Sequence, residues 1–335
     1  MWLNIINADF ALSFLLNFPL NNFIFSNLSN HLSNQLLENL PRLLILLGLG
    51  LITVYLIILL VVRQVQKYII FKPYQQVQGS PADVNLAYET VWISGVEENN
   101  QNNQEKLYGW WIPQNSQEAP VILYLHGNRG NLAVAPSFRN LQRVAKLHQL
   151  GFAILMIDYR GYGHSPGRFP TETQVYQDAE WAWQYLVKIQ NCQPNNIWVY
   201  GHSLGGAIAG HLCKDHPEAA GLIADGCFTS MADMARDTWL KIFPSDWLIT
   251  QKFALINYVQ SLQIPVLFIH GTADRTVPSY MSEQLFAVAP EPKQLYLVSG
   301  AGHDNLSEFA GQEYLDTLIK FTTDHQRSSQ LIELN

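Results

Sequence analysis

Ile197-Trp198-Val199-Tyr200-Gly201-His202-Ser203-Leu204-Gly205-Gly206 is the stretch whose reading decides the fold. Residues 197–200 are a short apolar run rich in strand-forming side chains, and residues 207–214 carry a helical pattern. Between them stands Gly-x-Ser-x-Gly with no spacer on either side. A serine between a strand and a helix sits on a sharp, strained turn. Glycine at the flanking positions removes the side chains that would clash there and leaves the hydroxyl exposed at the strand end. The plain alternative is a glycine-rich connection that packs a helix tightly on a strand. The residues downstream separate the two.

A serine hydroxyl is a poor nucleophile near neutral pH, so it needs an imidazole to take its proton and a carboxylate to orient that imidazole. The run 266–269 leads into Gly271-Thr272-Ala273-Asp274, and the run 294–298 leads into Ser299-Gly300-Ala301-Gly302-His303. The chain order Ser203, Asp274, His303 is that of hydrolases built on this strand-turn-helix unit. Asp225, at the end of the run 222–224, is a rival carboxylate and is assigned to the start of a following insertion. His126, His164, His202 and His270 are rival imidazoles. His202 adjoins the serine and is expected to point away from its hydroxyl, His126 to brace its own loop, and Asp304 to cap a helix starting near Asn305.

Charge developing on a substrate oxygen requires donors aimed in advance, which backbone N–H groups supply. Two are expected, from Leu204 and from Asn128. The second lies in His126-Gly127-Asn128-Arg129-Gly130-Asn131, after the run 121–125. This loop lacks the Lys-Ser/Thr ending of a phosphate-cradling P-loop. Asp158-Tyr159-Arg160-Gly161-Tyr162-Gly163-His164-Ser165 offers turn chemistry without a reacting group and is read as scaffold. The mechanism requires no cofactor and no metal.

Around these motifs, apolar runs at 121–125, 152–157, 197–200, 222–224, 266–269 and 294–298 alternate with helical stretches such as 137–150 and 171–190. Nearly unbroken apolar strands joined by helical crossovers specify a mostly parallel, doubly wound α/β sheet buried on both faces. Residues 90–94 and 107–113, separated by a polar stretch, are expected to add an antiparallel edge hairpin. The interval 227–262 is too long for one crossover and contains Phe243-Pro244, so a small helical cap is expected there. Met231, Met234, Trp239, Leu240, Ile242, Phe243, Trp247, Leu248 and Phe253 either line an acyl pocket beneath that cap or pack it onto the body.

Together the five motifs around Asn128, Asp158, Ser203, Asp274 and His303 resemble those of the serine α/β-hydrolases of the Bem46-like group, which includes membrane-tethered members. The resemblance covers residues 73–322 and implies the α/β-hydrolase fold, the triad and acyl hydrolase activity. It leaves the substrate open, because one fold hosts many activities.

The N-terminal part reads differently. Residues 43–62 are twenty positions without a charge, bracketed by Arg42 and Arg63. As a helix they span about 30 Å, the thickness of a bilayer's hydrocarbon core. A cleaved signal peptide would have a shorter apolar core nearer the start. Residues 1–42 form an apolar leader (Phe10, Phe14, Leu15, Leu16, Phe18) broken by Pro19, expected to lie in the membrane interface, to pack on the first helix, or to be a disordered leader without function. Arg63, Lys67 and Lys72 outnumber Arg42 across the span, which places the hydrolase domain on the cytoplasmic side. A polar tail is expected over 325–335.

Composition agrees with this division. Of 335 residues 48% are hydrophobic and only 14% charged, against about 25% in soluble domains. The net charge of −7 and the lack of a basic run argue against a nucleic-acid partner. Three cysteines without Cys-x-x-Cys spacing form neither a disulfide framework nor a zinc set.

The expected activity is therefore a membrane-anchored serine hydrolase acting on carboxylic esters or thioesters through an acyl-enzyme, with lipids, lipophilic esters or acylated proteins as substrates. A serine peptidase and a non-catalytic membrane adaptor are the alternatives. An imidazole in water titrates at about pH 6.5. Ester hydrolysis followed in a pH-stat should rise between about pH 6 and 7, and a flat profile across that interval excludes a histidine base.

Overall fold

The computed structural model describes residues 19–95, 106–116, 118–134 and 139–333. It divides into two units, Met1–Val61 and Val62–Asn335. Helix α1 is Pro19–Ile70, 52 residues long, with Pro41 inside it. Its stretch Asn30–Ile70 is, by length and composition, a candidate membrane-spanning helix, and the expected span 43–62 falls within it. In the first unit most leucines and isoleucines of that span stand exposed, Leu59 being the buried exception. Residues 19–42, the described part of the expected leader, are helical and continuous with the span. Phe10, Phe14, Leu15, Leu16 and Phe18 lie outside the described residues.

The second unit is built on eight strands: β1 (Glu89–Ser94), β2 (Lys106–Ile112), β3 (Val121–Leu125), β4 (Ala153–Ile157), β5 (Ile197–His202), β6 (Gly221–Asp225), β7 (Val266–Gly271) and β8 (Lys293–Val298). They lie in the order β1-β2-β4-β3-β5-β6-β7-β8. The pairs from β4 to β8 are parallel, and β2 runs antiparallel to both β1 and β4. This is the α/β-hydrolase sheet. Of the expected edge hairpin only β1 is an edge, because β2 has β4 on its other side.

Alternation along each strand divides the apolar residues between two cores. Val121, Leu123 and Leu125 of β3, with Ile197 and Val199 of β5, face the layer that holds α3 (Glu172–Gln184), α4 (Leu204–Asp215) and α5 (Tyr280–Val288). Ile122 and Tyr124, with Trp198 and Tyr200, face α2 (Arg139–Gln149) and α6 (Gln312–Glu333). Both faces being covered is why the strands read as continuous apolar runs. Full burial of a side chain such as Val199 or Ile208 contributes roughly 2 kcal/mol.

Helix α6 continues to Glu333, so a separate irregular tail from 325 is not observed; residues 334–335 lie outside the description. The loop 96–105 of the hairpin is also outside it. The cap is present between β6 and β7 as short helices Met231–Arg236, Ser245–Leu248 and Leu255–Val259. Gln66, in the last turns of α1 and within this unit, fastens it: its amide donates to Leu248 O at 2.7 Å and accepts from Thr250 N at 2.7 Å.

Helix α4 approaches the sheet so closely that a Cβ on Gly205 would lie 2.1 Å from the Leu125 carbonyl oxygen. Backbone on both sides leaves no side chain to yield. Gly205→Ala should therefore destabilise the second unit by about 3 kcal/mol, read as a lowered denaturant midpoint; an unchanged midpoint contradicts this packing.

Candidate active site

Ser203 sits between β5 and α4 with φ 54° and ψ −119°, a conformation that residues with side chains rarely hold. The turn is pinned from both sides. Ser203 N–H donates to Asp225 O of the neighbouring strand at 2.8 Å. A Cβ on Gly201 would lie 2.3 Å from Gly205 O, so the two glycines let the chain double back. The hydroxyl stands at the C-terminal edge of the sheet, where the loops after β3, β7 and β8 converge.

From the loop after β8, His303 places Nε2 3.0 Å from Ser203 Oγ. Its Nδ1 lies 2.6 Å from Asp274 Oδ2, from the loop after β7. The three residues singled out in the sequence are thus brought into one hydrogen-bonded chain. Asp274 is fixed in turn: its Oδ1 accepts from Thr276 N at 2.7 Å and Val277 N at 2.9 Å, and His270 Nε2 stands 3.2 Å from Oδ2. Burial opposes ionisation of this carboxyl, but hydrogen bonds from His270 and His303 and the His303 charge outweigh it and hold it below the usual carboxylate range. His270, weighed as a rival base, is instead a support. It is buried, and Ser282 Oγ and Val277 O occupy its nitrogens.

Of the two expected backbone donors, Asn128 lines the cleft, a cavity of about 350 Å³ bordered also by Gly127, Ser203 and His303, and Leu204 directly follows Ser203. Leu204 is the first residue of α4, so its N–H has no partner inside the helix. The peptide carrying the Asn128 N–H is oriented by its own carbonyl. His126 Nδ1 donates to Gly127 O at 2.7 Å, and in a trans peptide the N–H points the opposite way. Burial lowers the His126 pKa to about 4, so the ring is neutral and serves as a brace. The loop after β4 is scaffold: Tyr159 and Tyr162 hydroxyls donate to His126 O at 3.0 Å and Asn128 O at 2.8 Å.

Two expectations are corrected. Asp225 does not order the cap. Strand alternation turns its side chain to the opposite face, where Arg143 Nε stands 3.3 Å away and the Tyr200 hydroxyl donates to it. His202 Nδ1 reaches the same carboxylate at 3.2 Å, so this ring does point away from Ser203. Burial alone would raise the Asp225 pKa, but Arg143 and His202 hold it below the usual range.

Asp304 does not cap the following helix, whose N-cap is Asn305. It bridges Arg139 at 2.7 Å and His202 Nε2 at 3.4 Å. The cleft, finally, takes none of its lining from the cap. Phe243, Leu248 and Phe253 are buried, while Ile242 and Trp247 are 69% and 60% exposed. Of the two readings of the cap's apolar side chains, packing onto the body is the one that Phe253 follows, because it joins the core. The Asp225 and Asp304 networks were missed because their partners, Arg143 and Arg139, come from a helix distant in sequence.

A model of the prolyl oligopeptidase family matches residues 136–328, and one of steryl acetyl hydrolases matches residues 50–213. An uncharacterised protein of Mycobacterium tuberculosis is 35% identical over 222 residues, 65% of this chain and 75% of that protein. Protein bem46 of Schizosaccharomyces pombe is 28% identical over 262 residues, 74% and 83% of the two chains. Among solved structures, an esterase of Pyrococcus furiosus superposes with a TM-score of 0.60 at 21% identity, over 76% of this chain and 99% of that one. That likeness is one of fold. With this sheet, this elbow and these relatives, the chain belongs to the prolyl oligopeptidase family of α/β-hydrolases and, within it, to the Bem46-like group.

Proposed function

We propose that the protein is a membrane-anchored serine hydrolase that cleaves carboxylic esters or thioesters through an acyl-enzyme. The observation that carries this reading is the hydrogen-bonded chain from Ser203 through His303 to Asp274 at the mouth of a cleft. In the proposed cycle Ser203 Oγ attacks the acyl carbonyl while His303 Nε2 takes its proton. Asp274 holds the imidazole and balances its charge. The N–H groups of Leu204 and Asn128 meet the oxyanion. His303 then returns the proton to the leaving oxygen or sulfur, and a water activated the same way releases the acid.

The ester reading is supported by the steryl acetyl hydrolase match and by the esterase of like fold. The anchor is supported by the candidate span in α1. A tether concentrates the domain on membrane-borne substrates, which favours lipophilic esters and acylated proteins. The excess of Arg63, Lys67 and Lys72 favours a cytoplasmic domain. The match to the prolyl oligopeptidase model supports a second reading, a peptidase. Only 48 residues separate position 73 from β3, too few for a gating propeller in front of the sheet. Parallel assays on an acyl ester and the matching anilide separate the two.

Ser203→Ala should lower kcat for ester hydrolysis by about 10⁶ and Asp274→Asn by about 10⁴. Retention of wild-type turnover by Ser203→Ala, with the variant folded by circular dichroism, refutes the mechanism.

A further inference from the structure

In a chain of net charge −7, the cleft that holds Ser203 is lined by four cations, Lys72, Arg129, Arg139 and Arg143, against one carboxylate, Asp304. Two of the cations are accounted for. Arg139 pairs with Asp304, and Arg143 pairs with Asp225 beneath the site. The other two are not. Lys72-Pro73 and Arg129-Gly130 form a short parallel bridge in which Lys72 stands directly beside Arg129. Both side chains are exposed, and among the described residues neither has a carboxylate within ion-pair distance.

Like charges placed opposite one another are unfavourable, yet the main chain enforces this arrangement. Lys72 N–H donates to Asn128 O at 3.0 Å, Tyr74 N–H to Gly130 O at 3.0 Å, and the Asn128 amide to Ile70 O at 2.8 Å. Arg129 is therefore the next residue to Asn128 and Lys72 is bonded to the Asn128 carbonyl, so the pair lines the cleft beside the proposed Asn128 donor. A cleft lined by one sign of charge raises the local concentration of oppositely charged substrate, and Lys and Arg are the side chains suited to oxyanions.

We infer that the Lys72 and Arg129 pair is a binding site for an oxyanion on the substrate, so that the preferred acyl ester carries a phosphate or carboxylate close to the scissile bond. This rests on the reading of Ser203 as nucleophile, and it names the substrate class of that site. The anion supplies the missing countercharge to the pair, and its position orients the acyl carbonyl toward Ser203 and the Leu204 and Asn128 donors.

The test uses the full chain in neutral detergent with three substrates of one acyl length. These are monodecanoylglycerol, decanoylglycerol phosphate and 3-(decanoyloxy)propanoate, the last compared with its methyl ester. The wild type should favour an anionic substrate in kcat/KM, with the preference shrinking as salt is raised from about 0.05 to about 0.5 M. The double variant Lys72→Gln, Arg129→Gln should reduce the ratio of anionic to neutral kcat/KM about tenfold. Lys320→Gln, an exposed cation on α6 that removes like charge elsewhere, should leave that ratio unchanged.

A preference for phosphate alone, for carboxylate alone, or for both supports the site and identifies its anion. Equal kcat/KM across the series, or a ratio the double variant does not move, overturns it while the hydrolase reading stands. If no ester is cleaved by folded wild type, the hydrolase reading fails and this inference fails with it.

Discussion

Ser203 is held at a positive φ by contacts it does not make itself. Gly201 and Gly205 meet backbone to backbone, α4 presses on the end of β3, and the Ser203 N–H is bound to the Asp225 carbonyl. Release any of these and the residue relaxes toward ordinary backbone, taking Oγ away from His303 Nε2. The strain costs of the order of 1–3 kcal/mol, and the buried layers on both faces of the sheet supply far more than that. The rest of the site is arranged around this one constrained residue. Two loops from parallel strands carry His303 and Asp274 to it because parallel neighbours end at the same sheet edge.

Much of this was legible because the signals were local. A strand followed at once by Gly-x-Ser-x-Gly can fold in few ways, and Asp274 and His303 each follow an apolar run that ends at the same edge. The parallel sheet was visible in the unbroken apolar runs of residues such as Val121 to Leu125 and Ile197 to Tyr200, which only a sheet covered on both faces explains. The cap was visible as an interval too long for a crossover.

What escaped the sequence depended on pairs far apart in the chain or on the direction of a side chain. Asp225 ends a strand just as a catalytic carboxylate would, and only the parity of β6 shows that it faces Arg143 and Tyr200. Asp304 looked like a helix cap because it precedes Asn305, yet Arg139 and His202 claim it. The apolar cap residues suggested a pocket, but composition cannot say whether Phe253 lines a cavity or fills one.

The two charge networks give the site its electrical character. Asp225 and Arg143 sit buried beneath the elbow, and His202 links them to Asp304 at the rim. Asp304 is held below the usual carboxylate range, chiefly by its hydrogen bond from His202. Beside these satisfied groups stand Lys72 and Arg129, which among the described residues face no carboxylate. The account's central claim is that the Ser203 hydroxyl is activated by His303. Treating the folded full chain with a fluorophosphonate and locating the adduct by peptide mass spectrometry tests it most directly. The account predicts one stoichiometric adduct, on Ser203, lost in His303→Ala. Absence of the adduct, or an adduct on Ser203 that His303→Ala does not slow, contradicts it.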